Sequence, residues 1–256
     1  MANRTDQIMQ ELLRSGRVSV EELAHKLHVS DVSVRRDLRR LEQQGLLRRD
    51  HGGAIPVGPL LYVAFTHDSS FQEQIHHQAE AKRRIGLAAA DLVRDGDAIA
   101  LTTGTTTTHV ARSLHKQRGI LVLTNSINVA MELSNREGIT VQVSGGLMRG
   151  VWFSLVGESA IQTIEQIFVD KVFIGVNGIS VEHGLTDFHV DEAAVNKAMI
   201  RQAKQKIVVA DHTKLGVLAR YRICPIQEID MLITDDQVSD EQVGGFEAAG
   251  IEVRRA

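Results

Sequence analysis

Apolar residues along this chain follow two regimes, a helical one in the first 45 residues and a mixed strand-and-helix one after residue 97. In the first, Ile8, Met9, Leu12 and Leu13 recur at helical spacing and stop before Ser15-Gly16, predicting a short helix over 4–14. Ser19 followed by Glu22 has the spacing of a capping box. The stripe Val20, Leu23, Ala24 and Leu27 predicts a second helix over 20–27. After a tight turn at His28-Val29, Ser30 can cap a third helix that turns Val34, Leu38 and Leu41 inward and meets Gly45 at its end. Residues 46–50 and 54–55 then read as short strands around His51-Gly52-Gly53. Three helices and a β-hairpin predict a winged helix-turn-helix.

Residues 56–67 hold two of the three prolines without periodicity, which places a domain boundary there. The expected organisation is a winged helix-turn-helix domain over 1–57, a linker and the start of a connecting helix over 58–80, and a second domain over 81–256. Residues 72–93 have helical composition interrupted at Gly86. Strand-like runs follow at 98–102, 120–124, 139–143, 171–175, 207–210 and 229–234, separated by helical stretches at 105–115, 127–134, 158–167, 190–203 and 238–248. This alternation predicts an α/β domain with a largely parallel sheet and helices on both faces.

The chain has 256 residues, 43% hydrophobic and 24% charged, an ordinary globular composition. Its one cysteine, Cys224, excludes a disulfide framework or a thiolate zinc site within one chain, and points to a reducing compartment. No run approaches the ~18 apolar residues of a membrane span, and the N-terminus is charged where a signal peptide would be apolar. A cytoplasmic location is expected. The net charge of −3 hides an asymmetry. Residues 1–57 carry ten Lys/Arg against eight Asp/Glu, and between Asp31 and Arg49 six arginines face three acids.

Those arginines lie on the third helix of a correctly spaced helix-turn-helix and continue into its wing. On an isolated helix they would read as a solvated face. Here Ser33, Arg35, Arg36, Arg39, Arg40, Arg48, Arg49 and His51 are the candidate contacts to double-stranded operator DNA, because such a helix enters the major groove and arginine can pair with guanine O6 and N7. Asp37 cannot face a phosphate. It can orient a neighbouring arginine or accept from cytosine N4.

In the second domain the residues at strand ends are the ones to weigh, because ligands of parallel α/β sheets bind beyond the carboxyl ends of the strands. They are Thr102, Thr103, Gly104, Thr105 and Thr106; Thr124, Asn125 and Ser126; Gly145 and Gly146; Asn177 and Gly178; and Lys214. Glycines, hydroxyls and a helix N-terminus at 105 are what a phosphate-bearing ligand requires. Any one of them alone reads as a helix cap. Lys214 is the first candidate cation and Arg149 the second, while His109, His189 and His212 receive no role.

The segments SVEELAHKLHVS and SVRRDLRRLEQQGLLRRDHGGA, with TTGTTT, TNS, SGG, VDKVFIGVNG, GLTD and ADHTKLG, resemble the DeoR family of bacterial transcription regulators over nearly the whole chain. The resemblance implies that Arg35, Arg36 and Asp37 belong to the recognition-helix signature. It also implies an effector domain related in fold to ribose-5-phosphate isomerase and the glucosamine-6-phosphate deaminases, with a sugar-phosphate pocket at the loops named. Asn177 stands where the related isomerases carry an acid, and an amide cannot act as a general base. The expected protein is therefore a repressor of carbohydrate-metabolism genes, homo-oligomeric (a dimer or tetramer), without cofactor or metal, and released from its operator by a phosphorylated sugar. The alternatives are an isomerase or deaminase with an accessory DNA-binding module, and a constitutive architectural DNA binder.

Overall fold

The computed structural model describes Arg4, Ile8 and residues 17–43, 47–50, 52–56 and 71–256, and the chain divides into two units, Met1–Asp68 and Ser69–Ala256. Most of the helix expected over 4–14, the helix stop at Gly45, the turn residue His51 and the stretch 57–67 lie outside the described residues.

In the first unit β1 (Val18–Ser19) leads into α1 (Val20–Leu27). The capping box closes at the expected spacing: Glu22 N donates to Ser19 Oγ at 3.1 Å, and Ser19 N donates to the Glu22 carboxylate at 3.3 Å. His28 ends the helix in the left-handed region at φ 53°, and Ser33 N donates to Ser30 Oγ at 3.4 Å in the first turn of α2 (Asp31–Gln43). β2 (Leu47–Asp50) and β3 (Gly53–Pro56) form an antiparallel wing to which β1 adds, in the order β1-β3-β2. Where β3 crosses β1 only glycine fits, because a Cβ on Gly53 would lie 2.0 Å from the Val18 carbonyl oxygen. Leu23, Val34, Leu38, Leu41 and Leu47 are buried together, so the helices and the wing share one core. This is the winged helix-turn-helix that the spacing predicts.

The second unit opens with α3 (Phe71–Gln74) and α4 (Ala79–Ala90). The chain breaks at Gln78, where φ is 51°, and runs helical through Gly86, the reverse of the expected interruption. Gly86 is a packing requirement. A Cβ there would stand 2.7 Å from the backbone carbonyl carbon and oxygen of His109 on α5 (Thr105–Ser113). Gly86→Ala is therefore expected to destabilise the unit by about 1–3 kcal/mol through forced separation of the two helices, outweighing the ~1 kcal/mol of helix propensity it gains. The urea midpoint should fall at unchanged slope. An equal or higher midpoint would mean that the helices can part without cost.

The remaining elements are β4 (Ala98–Leu101), β5 (Ile120–Thr124), α6 (Ile127–Leu133), β6 (Ile139–Val143), β7 (Leu147–Arg149), β8 (Ser154–Val156), α7 (Glu158–Glu165) and β9 (Val169–Ile174). They continue as β10 (Gly178–Ser180), β11 (Gly184–Asp187), α8 (Val190–Arg201), β12 (Ala203–Val209), β13 (Tyr221–Cys224), β14 (Met231–Thr234), α9 (Asp240–Ala248) and β15 (Glu252–Arg255). Seven strands form one sheet in the order β15-β14-β12-β9-β4-β5-β6, and every neighbouring pair is parallel. Alternate residues face opposite layers: Ile99 and Leu101 join the core with Ile85 of α4 and Val110 of α5, while Ala100 joins Ile164 of α7 and Met199 of α8. Two smaller sheets, β7-β8 and β10-β11-β13, lie outside this alternation.

The strand order fixes where a ligand can enter. The chain builds β4, β5 and β6 toward one edge, then places β9 on the other side of β4 and continues through β12, β14 and β15 to the opposite edge. The order reverses between β4 and β9. In parallel sheets the carboxyl ends of such a pair splay apart and open a crevice. No helix among the described residues is long and apolar enough to cross a membrane.

Candidate functional site

In the first unit α2 buries Val34, Leu38 and Leu41 and leaves Arg35, Arg36, Arg39 and Arg40 exposed. Arg35 lines an open cleft of about 450 Å³ between α2 and the wing, together with Asp50, Gly52 and Gly53. Two of the expected contacts have prior partners. Arg49 N and Nε donate to the Glu42 carboxylate at 2.9 and 2.6 Å, joining the wing to α2, and the backbone bond followed by the side-chain bond holds that carboxyl below its ordinary range. Ser33 Oγ lies 3.1 Å from Ser30 Oγ, within the helix cap. Asp37 is held by an arginine distant in sequence rather than by a neighbour: Arg4 Nε donates to Asp37 Oδ2 at 2.6 Å. Arg48 is exposed on the wing.

In the second unit the strand-end residues of β4, β5 and β9 adjoin at the switch point, and several of their hydrogen-bonding groups are already taken. Gly175 N donates to Thr102 Oγ1 at 3.0 Å, bridging the ends of β4 and β9. Thr124 Oγ1 donates to Leu101 O at 2.7 Å, Thr103 N donates to Asn125 Oδ1 at 3.0 Å, and Val129 N donates to Ser126 Oγ at 3.3 Å as a helix cap. Thr107 and Thr108 hydroxyls both donate to Gly104 O, at 2.9 and 2.8 Å. Gly146 and Gly178 are required by backbone crossings, since a Cβ would lie 2.5 Å from Val156 O and 2.3 Å from Val217 O respectively. Gly145, at φ +68°, has open space around it. The Asn177 side chain bonds Asp187. Thr102, Thr124, Asn125 and Ser126 thus build the frame of the crevice.

What the frame leaves available is narrower than the strand-end set. Thr103 Oγ1 is buried with no hydrogen-bond partner among the described residues. The amides opening α5 have no acceptor within the helix, so the loop presents donors and the positive end of the helix dipole.

The cation that sequence reasoning missed is Lys82. It is only 2% exposed, on the buried face of α4 with Ile85 and Gly86. Its Nζ donates to Gln74 O at 2.7 Å and lies 4.0 Å from Asp211 Oδ2, and Asp211 also accepts from Thr213 N at 3.1 Å. Burial pushes the ammonium down to about 8, against the pull of Asp211, and repulsion from half-buried Lys214 adds to the fall. Two lysines therefore share the carboxyl edge. Both α4, which leads into β4, and α5, which leaves it, run opposite to that strand. One turn before the Gly86–His109 contact they bring Lys82 and Thr105 to the same edge. A lysine in step with an apolar stripe was the available signal.

His212 adds a fixed imidazole. Its Nδ1 lies 2.9 Å from Oδ1 of Asp235, whose side chain is fully buried. Arg149 is neutralised locally: its Nη1 donates to Glu192 Oε1 at 2.8 Å, and Ser154 Oγ bonds the same oxygen. Burial, opposed by the His189 backbone bond, raises the Asp187 carboxyl to about 6. The Cys224 thiol is buried and pushed up to about 12, out of reach of thiolate chemistry.

Both units have matches among known proteins. Residues 4–57 match the DeoR-like helix-turn-helix domain and residues 77–236 the DeoR C terminal sensor domain. The chain is 33% identical over 252 residues to the putative aga operon transcriptional repressor of Escherichia coli O157:H7, covering 98% of this chain and 93% of that protein. It is 40% identical over 228 residues to the HTH-type transcriptional repressor GlcR of Bacillus subtilis (strain 168), covering 89% and 86%. It is also similar to the structure of ribose 5-phosphate isomerase A from Methanocaldococcus jannaschii, with 18% identity, 54% and 55% coverage and a TM-score of 0.40. Winged helix, sensor domain and relatives define a DNA-binding transcriptional repressor rather than an enzyme. The chain belongs to the DeoR family.

Proposed function

We propose that this repressor controls carbohydrate-metabolism genes and leaves its operator when a phosphorylated sugar occupies the crevice between β4 and β9. The observation that carries the reading is the set of unclaimed donors at the switch point. Thr103 Oγ1 and the first turn of α5 would hold the phosphate, with Lys82 and Lys214 supplying counter-charge and His212 Nε2 reaching the sugar. Arg35, Arg36, Arg39, Arg40 and Arg48 would make the DNA contacts. A homo-oligomer would set two wings on two half-sites. The protein would work in the cytoplasm, the compartment that holds its DNA. Release then follows if the ligand binds the DNA-incompetent arrangement more tightly.

The test is a panel of sugar phosphates, with the parent sugars as controls, scored for thermal stabilisation and for release of a fluorescent operator. One or more phosphorylated members should do both, and the parent sugars neither. A parent sugar acting as well as its phosphate would remove the anion site from the account. If no member did either, the effector reading would fall.

A further inference from the structure

The outer face of α2 carries one residue that basic character does not explain. Val32 is 76% exposed in the first turn of the helix, between Asp31 and Ser33. At ~100° per residue, Val32, Arg36 and Arg39 fall within ~60° of one another, directly opposite the buried positions Val34, Leu38 and Leu41. Among the described residues it is not a member of the core cluster of its own unit. Single exposed valines are common on protein surfaces, and β-branching makes them mildly unfavourable in helices. This one stands on the axis of the arginine face, at the N-terminal end, the part of a recognition helix that reaches base edges in the major groove.

We propose that Val32 is a specificity-determining residue that packs against the 5-methyl group of a thymine, alongside base contacts from Arg36. The thymine methyl is the one apolar feature of a major-groove edge, and small apolar side chains are its natural partner. A valine placed against cytosine would meet the N4 amino group and a bare C5–H, and against guanine two acceptors. The inference rests on the DNA-binding reading above.

The test uses the full-length protein. A preferred duplex is first enriched from random sequence, and each thymine in it is then replaced singly by deoxyuridine, which removes only the methyl group. In the wild type one such replacement should weaken binding about fourfold, the worth of one buried methyl at ~0.8 kcal/mol. Val32→Ala should weaken binding to the unmodified duplex by a similar factor and make that same replacement silent. Val32→Thr, which keeps a methyl of matching shape, should restore sensitivity to it. The proposal is overturned if no thymine is methyl-sensitive, or if the sensitivity is the same in Val32→Ala as in the wild type. Failure to enrich any sequence would overturn it too, and would mark the DNA-binding reading as the part that failed. Folding does not confound the comparison, since an exposed valine contributes nothing to the core.

Discussion

Replacing Arg35 and Arg36 together with alanine is expected to abolish sequence-specific DNA binding and to leave the first unit folded. Both side chains are exposed, so the core formed by Val34, Leu38 and Leu41 is unaffected. Each bidentate arginine–guanine pair contributes about 1–3 kcal/mol of discrimination, so loss of two lowers operator affinity by roughly 30-fold to more than 10⁴-fold. Affinity for random duplex falls far less, because phosphate attraction from Arg39, Arg40 and Arg48 persists. The matched comparison is Arg39→Ala with Arg40→Ala, which should weaken operator and random DNA alike and reduce the slope of log K against log salt by about 2. Competition binding on both duplexes at several salt concentrations separates the two. A double variant at 35 and 36 that kept its sequence preference would show that base readout lies elsewhere.

How far the sequence could be read depends on whether a feature is local. The capping box at Ser19 and Glu22 is complete within four residues, and it forms as read. The helix start at Thr105 follows from a glycine after an apolar strand, and α5 opens there. Features set by a distant neighbour were misread. Gly86 looks like a helix interruption, yet it is the point where α4 touches the His109 backbone 23 residues on. β15 was missed because Glu252, Arg254 and Arg255 carry charge through an edge strand, and only its pairing with β14 makes it one. The strand-end loops do follow the strands, but which of their groups are already hydrogen-bonded is not legible in the sequence. Thr102 and Thr103 are identical in sequence and adjacent. One bonds Gly175 N across the switch point, and the other keeps a buried hydroxyl without a partner. Nothing in TTGTTT distinguishes them. Arg149 reads as an available cation until Glu192, 43 residues away, is seen beside it.

Lys82→Met is expected to uncouple effector from operator. Lys82 Nζ holds Gln74 O, in the first helix after the linker, and stands beside Asp211 at the edge where the phosphate would bind. A bound phosphate would compete for that ammonium and loosen its hold on Gln74. Loss of one charge-assisted hydrogen bond, about 1.5–3 kcal/mol, lowers effector affinity roughly 10- to 150-fold, while operator affinity without effector stays within about threefold. The stability of the wild type relative to the variant should also depend on pH. Burial holds the Lys82 ammonium down to about 8 in the folded chain, below its ordinary 10.5. The stability it contributes is therefore complete only above the unfolded value and is lost as pH falls through about 8, a difference on the order of 3 kcal/mol that methionine does not show. The melting temperature of the wild type relative to the variant should rise as pH goes from 8 toward 10.5. Effector affinity of the wild type should fall above about pH 8 as the ammonium loses its proton. Lys82→Arg, whose charge does not titrate in this range, should remove that fall. If Lys82→Met bound and responded to the effector as the wild type does, the counter-charge would rest on Lys214 alone, and the bond to Gln74 would be a matter of packing.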